Sequence, residues 1–148
     1  MQPEALIHRW FAEVWNQGNE QTVDELYGEN ALAHGLWEGD AQSSGREGVK
    51  AFLRQMRGAF PDVRMTVQET ITEGNRISAR VQLDATHTGD GLGVAPTQRR
   101  VRVIGIVMVH VENGQIAESW NSWDQLAMLR QLGLVPSAPD NEILAYSE

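Results

Sequence analysis

The apolar residues of this chain keep one spacing up to Pro61 and another beyond it, and that change limits what the chain can fold into. Between Pro3 and Gln17 they stand at Leu6, Ile7, Trp10, Phe11, Val14 and Trp15, the one-sided stripe of an amphipathic helix, with Pro3 near its start and Gly18 closing it. Asn19 is placed to cap a second short helix through Val23 and Leu26, and Ala31 to His34 reads as a first short strand. After a loop from Glu38 to Gly45, the stretch Arg46 to Phe60 returns to helical spacing with Val49, Phe52, Leu53, Met56 and Phe60, until Pro61 stops it. Beyond that point the period is two. Val63, Met65, Val67 and Ile71 alternate with polar residues, as do Ile77, Ala79, Val81, Leu83 and Ala85, and His87 continues the apolar face of this second strand. Three helices followed by a meandering antiparallel sheet predict an α+β fold in which a curved, cone-shaped sheet wraps the N-terminal helices and leaves one end open as a pocket.

The 148 residues suit one domain, with a core over about 3–135 and a tail over 136–148. No apolar run is long enough to span a membrane, and the first residues are neither basic nor followed by a signal-like apolar stretch, so the expected location is cytoplasmic. The absence of cysteine excludes disulfides, zinc-thiolate sites and thiol nucleophiles. A net charge of −8 argues against nucleic acid and anionic membranes as partners, since phosphate binding needs clustered Lys and Arg, and Arg99-Arg100-Val101-Arg102 is too short to reverse that. Closely spaced metal ligands such as H-x-H or H-E-x-x-H are missing, so neither a metal nor another cofactor is expected.

The strand from Val101 to Val111 is apolar on both faces, which calls for a second surface against it and predicts a homodimer or higher homo-oligomer through the sheet. Its partner follows a turn at Glu112-Asn113-Gly114, and the register between them decides which polar groups meet. A two-residue turn would pair Val111 with Ile116 and leave His110 on the face opposite Asp124. A three-residue loop with a bulge at Gly114 would pair His110 with Ile116, Met108 with Glu118, Ile106 with Trp120 and Arg102 with Asp124. The second register gathers His110, Trp120 and Asp124 on one face and is the one expected here. Asp124, between a tryptophan and an apolar helix, is then placed to lose water, which raises a carboxyl pKa toward neutrality and suits it to acid/base work; its plainer role is to cap the helix from Gln125. His34 and His87 are candidates to point into the pocket, His87 having a hydrogen bond to the neighbouring loop as its plainer role. Trp37, Trp120, Phe52 and Met56 are candidate flat walls for a ligand, and Ile106, Met108 and Glu118 share the chosen face. Arg102 opposite Asp124 would form an ion pair that lowers the carboxyl pKa.

The runs Phe11 to Gly18, Gly45 to Leu53, Ala59-Phe60-Pro61-Asp62, Thr86-His87-Thr88-Gly89, Pro96-Thr97-Gln98-Arg99, Asn113 to Ile116, Trp120 to Asp124 and Gln131-Leu132-Gly133, in that order and spacing, resemble the SnoaL-like polyketide cyclases (ester cyclases) of the nuclear transport factor 2-like superfamily. Gln98 departs from the family, which often has Gly there. The resemblance implies a cystatin-like α+β barrel and a small apolar or aromatic polyketide-like ligand. It also implies a cofactor-free intramolecular aldol ring closure, with the family's general acid/base falling on Asp124 and a histidine of the better-studied cyclases falling on His110. Two other functions stay open: a different cofactor-free proton-transfer enzyme, such as a dehydratase, isomerase or hydroxylase, and a non-catalytic small-molecule-binding module.

Overall fold

A computed structural model describes residues 2–36 and 42–136, with backbone alone for 42–44. The first helix, α1 (Pro3–Arg9), runs on into a wider π-helical segment, Trp10–Trp15, where Asn16 N–H reaches back five residues to the Phe11 carbonyl at 3.0 Å. The wider turn keeps Trp10, Phe11, Val14 and Trp15 on one buried face. Asn16 then clamps the helix end to the sheet: its amide donates to the Met65 carbonyl at 2.9 Å and accepts from Met65 N–H at 2.6 Å. Gly18, at φ +69°, turns the chain where a Cβ would stand 2.6 Å from the Arg57 guanidinium.

Asn19 caps α2 (Glu20–Leu26) by accepting from Gln21 and Thr22 N–H, as expected from its position. Strand β1 (Tyr27–His34) starts earlier than the apolar pattern suggested, β2 (Gln42–Ser44) pairs with it, and α3 spans Gly45–Ala59. Then follow β3 (Arg64–Glu73), β4 (Arg76–Thr86), β5 (Arg100–Glu112), β6 (Gln115–Trp123) and α4 (Gln125–Gln131). The strands form one sheet in the order β2-β1-β6-β5-β4-β3, antiparallel except for the β1–β6 pair. The helices pack against one face of this sheet, α1 on β3 and β4 and α3 on β1, which gives the expected α+β architecture.

The alternation expected of β4 is observed: Ile77, Ala79, Val81, Leu83 and Ala85 are all buried, and His87 beyond them is fully buried. On β3 the alternation fails at its far end, because a register shift between Val67 and Glu69 turns Ile71 out to solvent at 67% exposure. Strand β5 has one buried face, not two. Val101, Val103, Val107, Val109 and Val111 are buried, while Ile104, Ile106 and Met108 are exposed.

The hairpin between β5 and β6 takes neither expected register throughout. Asn113 and Gly114 both have positive φ (53° and 75°), as a tight two-residue turn requires, so Glu112 pairs with Gln115 and Val111 with Ile116. One extra residue, Ala117, then bulges from β6, and from His110↔Glu118 onward the pairing runs Val109↔Ser119, Met108↔Trp120, Val107↔Asn121, Ile106↔Ser122 and Gly105↔Trp123. The bulge lies in β6 rather than at Gly114, and Asp124 pairs with no strand residue.

Candidate functional site

The Ala117 bulge sets the side-chain parity of β6. Before it Ile116 points inward; after it Ser119, Asn121 and Trp123 do. These meet Val107 and Val109 of β5, Trp10, Phe11 and Trp15 of the first helix, and Val49 and Phe52 of α3 around a cavity of about 530 Å³ including its open mouth. The Trp15, Leu36, Phe52 and Trp123 side chains also border a second space of about 350 Å³ that extends to Met56, Leu83, Gln125 and Met128. Trp123 lies flat over Gly105, where any Cβ would fall 2.3 Å from the indole ring. Position 105 is therefore a glycine so that the indole can occupy the interior.

The polar groups of the wall are few and their orientation is fixed. Asn121 Nδ2 donates to the His34 carbonyl at 3.0 Å and to Ser119 Oγ at 3.2 Å. A carbonyl only accepts, so the amide nitrogen must face His34. Gly35, at φ +75°, lets the end of β1 come this close, since a Cβ there would stand 2.1 Å from the Asn121 carbonyl oxygen. Tyr27 also lines the cavity, its ring stacked on Trp10 at 5.8 Å, and its hydroxyl is buried with no partner among the described residues. Burial pushes that hydroxyl up to about 12, so it stays protonated at neutral pH. No Asp, Glu or His stands among the described residues that line the cavity.

Of the residues expected at the site, Phe52 and Met56 are in its walls. A second group does come together, but on the outer face of the sheet. Trp120 packs between His34 (ring centroids 5.3 Å apart) and His110 (4.8 Å), and His34 Nε2 meets Glu118 Oε2 at 2.7 Å. Ile106 and Met108 lie on that face at 48% and 45% exposure, with Trp120 at 37%. The bulge explains this correction: it places His110, Glu118 and Trp120 together, as the chosen register also did, yet the inward face of β5 belongs to its valines. Arg102 is outward too, and its Nε donates to Asp84 Oδ1 at 2.6 Å, not to Asp124. That bond holds the Asp84 carboxyl below its usual range.

Asp124 is exposed, with Oδ1 accepting from Ala127 N–H at 3.0 Å, so it caps α4 and is not desolvated. Its chain neighbours Trp123 and Gln125 both line the second space, whose lining does not include Asp124 itself. His87 is buried against Phe60, and its Nδ1 accepts from Thr97 N–H at 3.1 Å, the plainer role given to it above. Trp37 lies outside the described residues. Sequence reasoning missed Tyr27, Ser119, Asn121 and Trp123; the available signal was β5 itself, whose valines all share one parity while Arg102 and His110 share the other.

Among the described residues, no three His, Asp or Glu side chains approach closely enough to hold a metal ion, and no helix is long and apolar enough to cross a membrane.

The family model described as SnoaL-like polyketide cyclase matches residues 5–132. Aklanonic acid methyl ester cyclase DauD of Streptomyces sp. (strain C5) is 26% identical over 134 residues, covering 90% of this chain and 83% of DauD. The crystal structure of IdmH from Streptomyces antibioticus, described as a candidate polyketide cyclase, is similar with a TM-score of 0.78 and 29% identity, covering 90% of this chain and 99% of IdmH. AclR from Streptomyces galilaeus, described as a candidate hydroxylase, has a TM-score of 0.80 and 25% identity over 98% of this chain and 89% of its own.

Proposed function

The chain belongs to the SnoaL-like polyketide cyclase family, and from its cavity we propose that it binds a flat, apolar, polyketide-type molecule and closes a ring in it by intramolecular aldol condensation without a cofactor. The observation that carries this reading is the space walled by Trp10, Phe11, Trp15, Phe52 and Trp123 between the first helix, α3 and β5–β6. Burial in such a space holds a flexible chain folded with its reacting carbons close together, and that accounts for much of what a ring closure needs.

The proton steps are assigned to Asp124. Its carboxylate, carried between the wall residues Trp123 and Gln125, takes a proton from a carbon between two carbonyls, the resulting enolate carbon bonds to a carbonyl carbon of the same molecule, and the alkoxide so formed takes a proton back from the Asp124 carboxyl. His110, on the outer face, has no part in this mechanism. The body of the substrate then lies inside the cavity with its reacting end at the mouth.

Asp124→Asn tests the assignment cleanly, because Asn caps a helix as well as Asp does and the fold is kept. Assayed on aromatic β-keto esters by product mass, the variant is expected to lose about 10²- to 10⁴-fold in rate. Full activity in the variant would remove Asp124 from the mechanism. A second reading has its own support: with no Asp, Glu or His in the described cavity wall, the site serves as a binding pocket without turnover. It predicts that wild type and variant bind a polycyclic ligand equally and convert none.

The exposed row Ile104, Ile106, Met108 and Trp120 supports a further element of the proposal, that a second copy of the chain covers the outer face of the sheet.

A further inference from the structure

Ser119 and Asn121 are neighbours on the inward side of β6, in a wall otherwise built largely of aromatic and aliphatic side chains. Both amide hydrogens of Asn121 are already used, by the His34 carbonyl and by Ser119 Oγ. What Asn121 has left is Oδ1, an acceptor. Because Ser119 Oγ accepts from Asn121, its own hydrogen is left to donate. The fold thus holds a fixed acceptor beside a donor in an apolar cavity. Unlike these two, a third polar group in the same wall, the buried Tyr27 hydroxyl, has no partner among the described residues. An unmet buried hydroxyl costs stability, and a ligand that supplies its partner recovers that cost.

We propose that Ser119 and Asn121 form a polar subsite that selects ligands carrying a hydroxyl with an oxygen acceptor beside it, the pattern of phenolic and enolic edges on polycyclic molecules. The ligand hydroxyl donates to Asn121 Oδ1 and the neighbouring oxygen accepts from the Ser119 hydroxyl. A bare hydrocarbon is disfavoured because it would strip water from both groups and replace nothing, and a site that hydrogen-bonds a ligand rejects the analogue lacking that group. A carboxylate is disfavoured as well, since no Lys or Arg is among the described residues lining the cavity. This subsite rests on the reading of the cavity as a ligand pocket and adds the chemical class that it prefers.

The test is calorimetric titration of the wild-type protein with 2,3-dihydroxynaphthalene and with naphthalene. The hydroxyls make the first probe better solvated in water, so an apolar pocket alone would favour naphthalene. The expected result is the reverse: the dihydroxy probe binds about tenfold more tightly. Ser119→Ala and Asn121→Leu are each expected to lose that preference while still binding naphthalene. Ser119→Ala leaves the Asn121 bond to His34 in place, so it decides the matter even if Asn121→Leu folds poorly. Preference for naphthalene in the wild type, or an unchanged preference for the dihydroxy probe in Ser119→Ala, would overturn the subsite and leave the pocket standing. Failure of both probes to bind would overturn the pocket reading and the subsite together.

Discussion

The two faces of the β5–β6 hairpin are built from alternate residues of the same strands, yet they have opposite surroundings. Inward, Val107, Val109, Ser119, Asn121 and Trp123 border the cavity. Outward, Ile106, Met108, His110, Glu118 and Trp120 form a part-exposed surface, with Trp120 lying between His110 and His34 of β1. The residues with the most obvious chemistry lie on the outer face, and the inner face carries amide, hydroxyl and indole groups. The proposed subsite lies on the inner face, while the carboxylate proposed for proton transfer is exposed at the start of α4.

Neighbouring residues on one strand give the strongest way to break this contrast. Val107→Asp buries an unpaired charge against the helices and is expected to cost about 4 kcal/mol or more, enough to prevent folding of an ordinary domain. Met108→Asp, one residue away, is expected to change the stability of the single chain by no more than about 0.5 kcal/mol while weakening the association proposed through the outer face. Thermal unfolding and sedimentation of the two variants read both effects; a large loss of stability in Met108→Asp would mean that the faces differ less than the structure indicates.

A smaller effect is expected at Gly105. A single methyl there meets the Trp123 ring, so Gly105→Ala should displace the indole, cost about 1–3 kcal/mol and reduce the ligand space. Unfolding in urea together with tryptophan fluorescence would show both, and an unchanged spectrum with unchanged stability would mean that Trp123 does not depend on that glycine.

The smallest expected effect concerns the polar side of the helix whose other side walls the cavity. Arg9 donates to Glu13 at 2.6 Å and Thr22 Oγ donates to it at 2.9 Å, which lowers the Glu13 carboxyl from 4.5 to about 2. A carboxyl lowered on folding stabilises the protein above its unfolded pKa, and that contribution is lost as pH falls through the folded value. Stability should therefore decline between about pH 4.5 and pH 2. Glu13→Gln should flatten that part of the melting temperature profile, and an unaltered profile would show that the Arg9 pair contributes nothing measurable.

Much of the fold was legible because its signals are local. The stripe from Leu6 to Trp15, the Asn19 cap, the stop at Pro61 and the alternation from Ile77 to Ala85 each depend on residues a few positions apart, and each is observed. Gln98 also gains a local explanation: its φ of 63° lies in the left-handed region that favours glycine, the residue that the resemblance implies at this position. The site was less legible. The turn residues Asn113 and Gly114 indicate a tight turn, but nothing in Gln115-Ile116-Ala117-Glu118 marks Ala117 as the bulged residue, and that one residue exchanges the inner and outer sets along the rest of β6. Asp124 shows the same limit, since capping and desolvation make the same demand on sequence and differ only in what packs around the carboxylate.

By itself, then, the sequence determined which segments are helices and strands and the order in which they occur, because helical and strand periodicity and turn chemistry act over a few residues, while the family is shown by the match over residues 5–132. Only the tertiary structure decided which face of β5 and β6 meets the helices, and so that Ser119, Asn121 and Trp123 line the cavity while His110 and Trp120 do not. That choice depends on pairing between strands and on one bulge, and a strand shifted by a single residue presents its other face to the core.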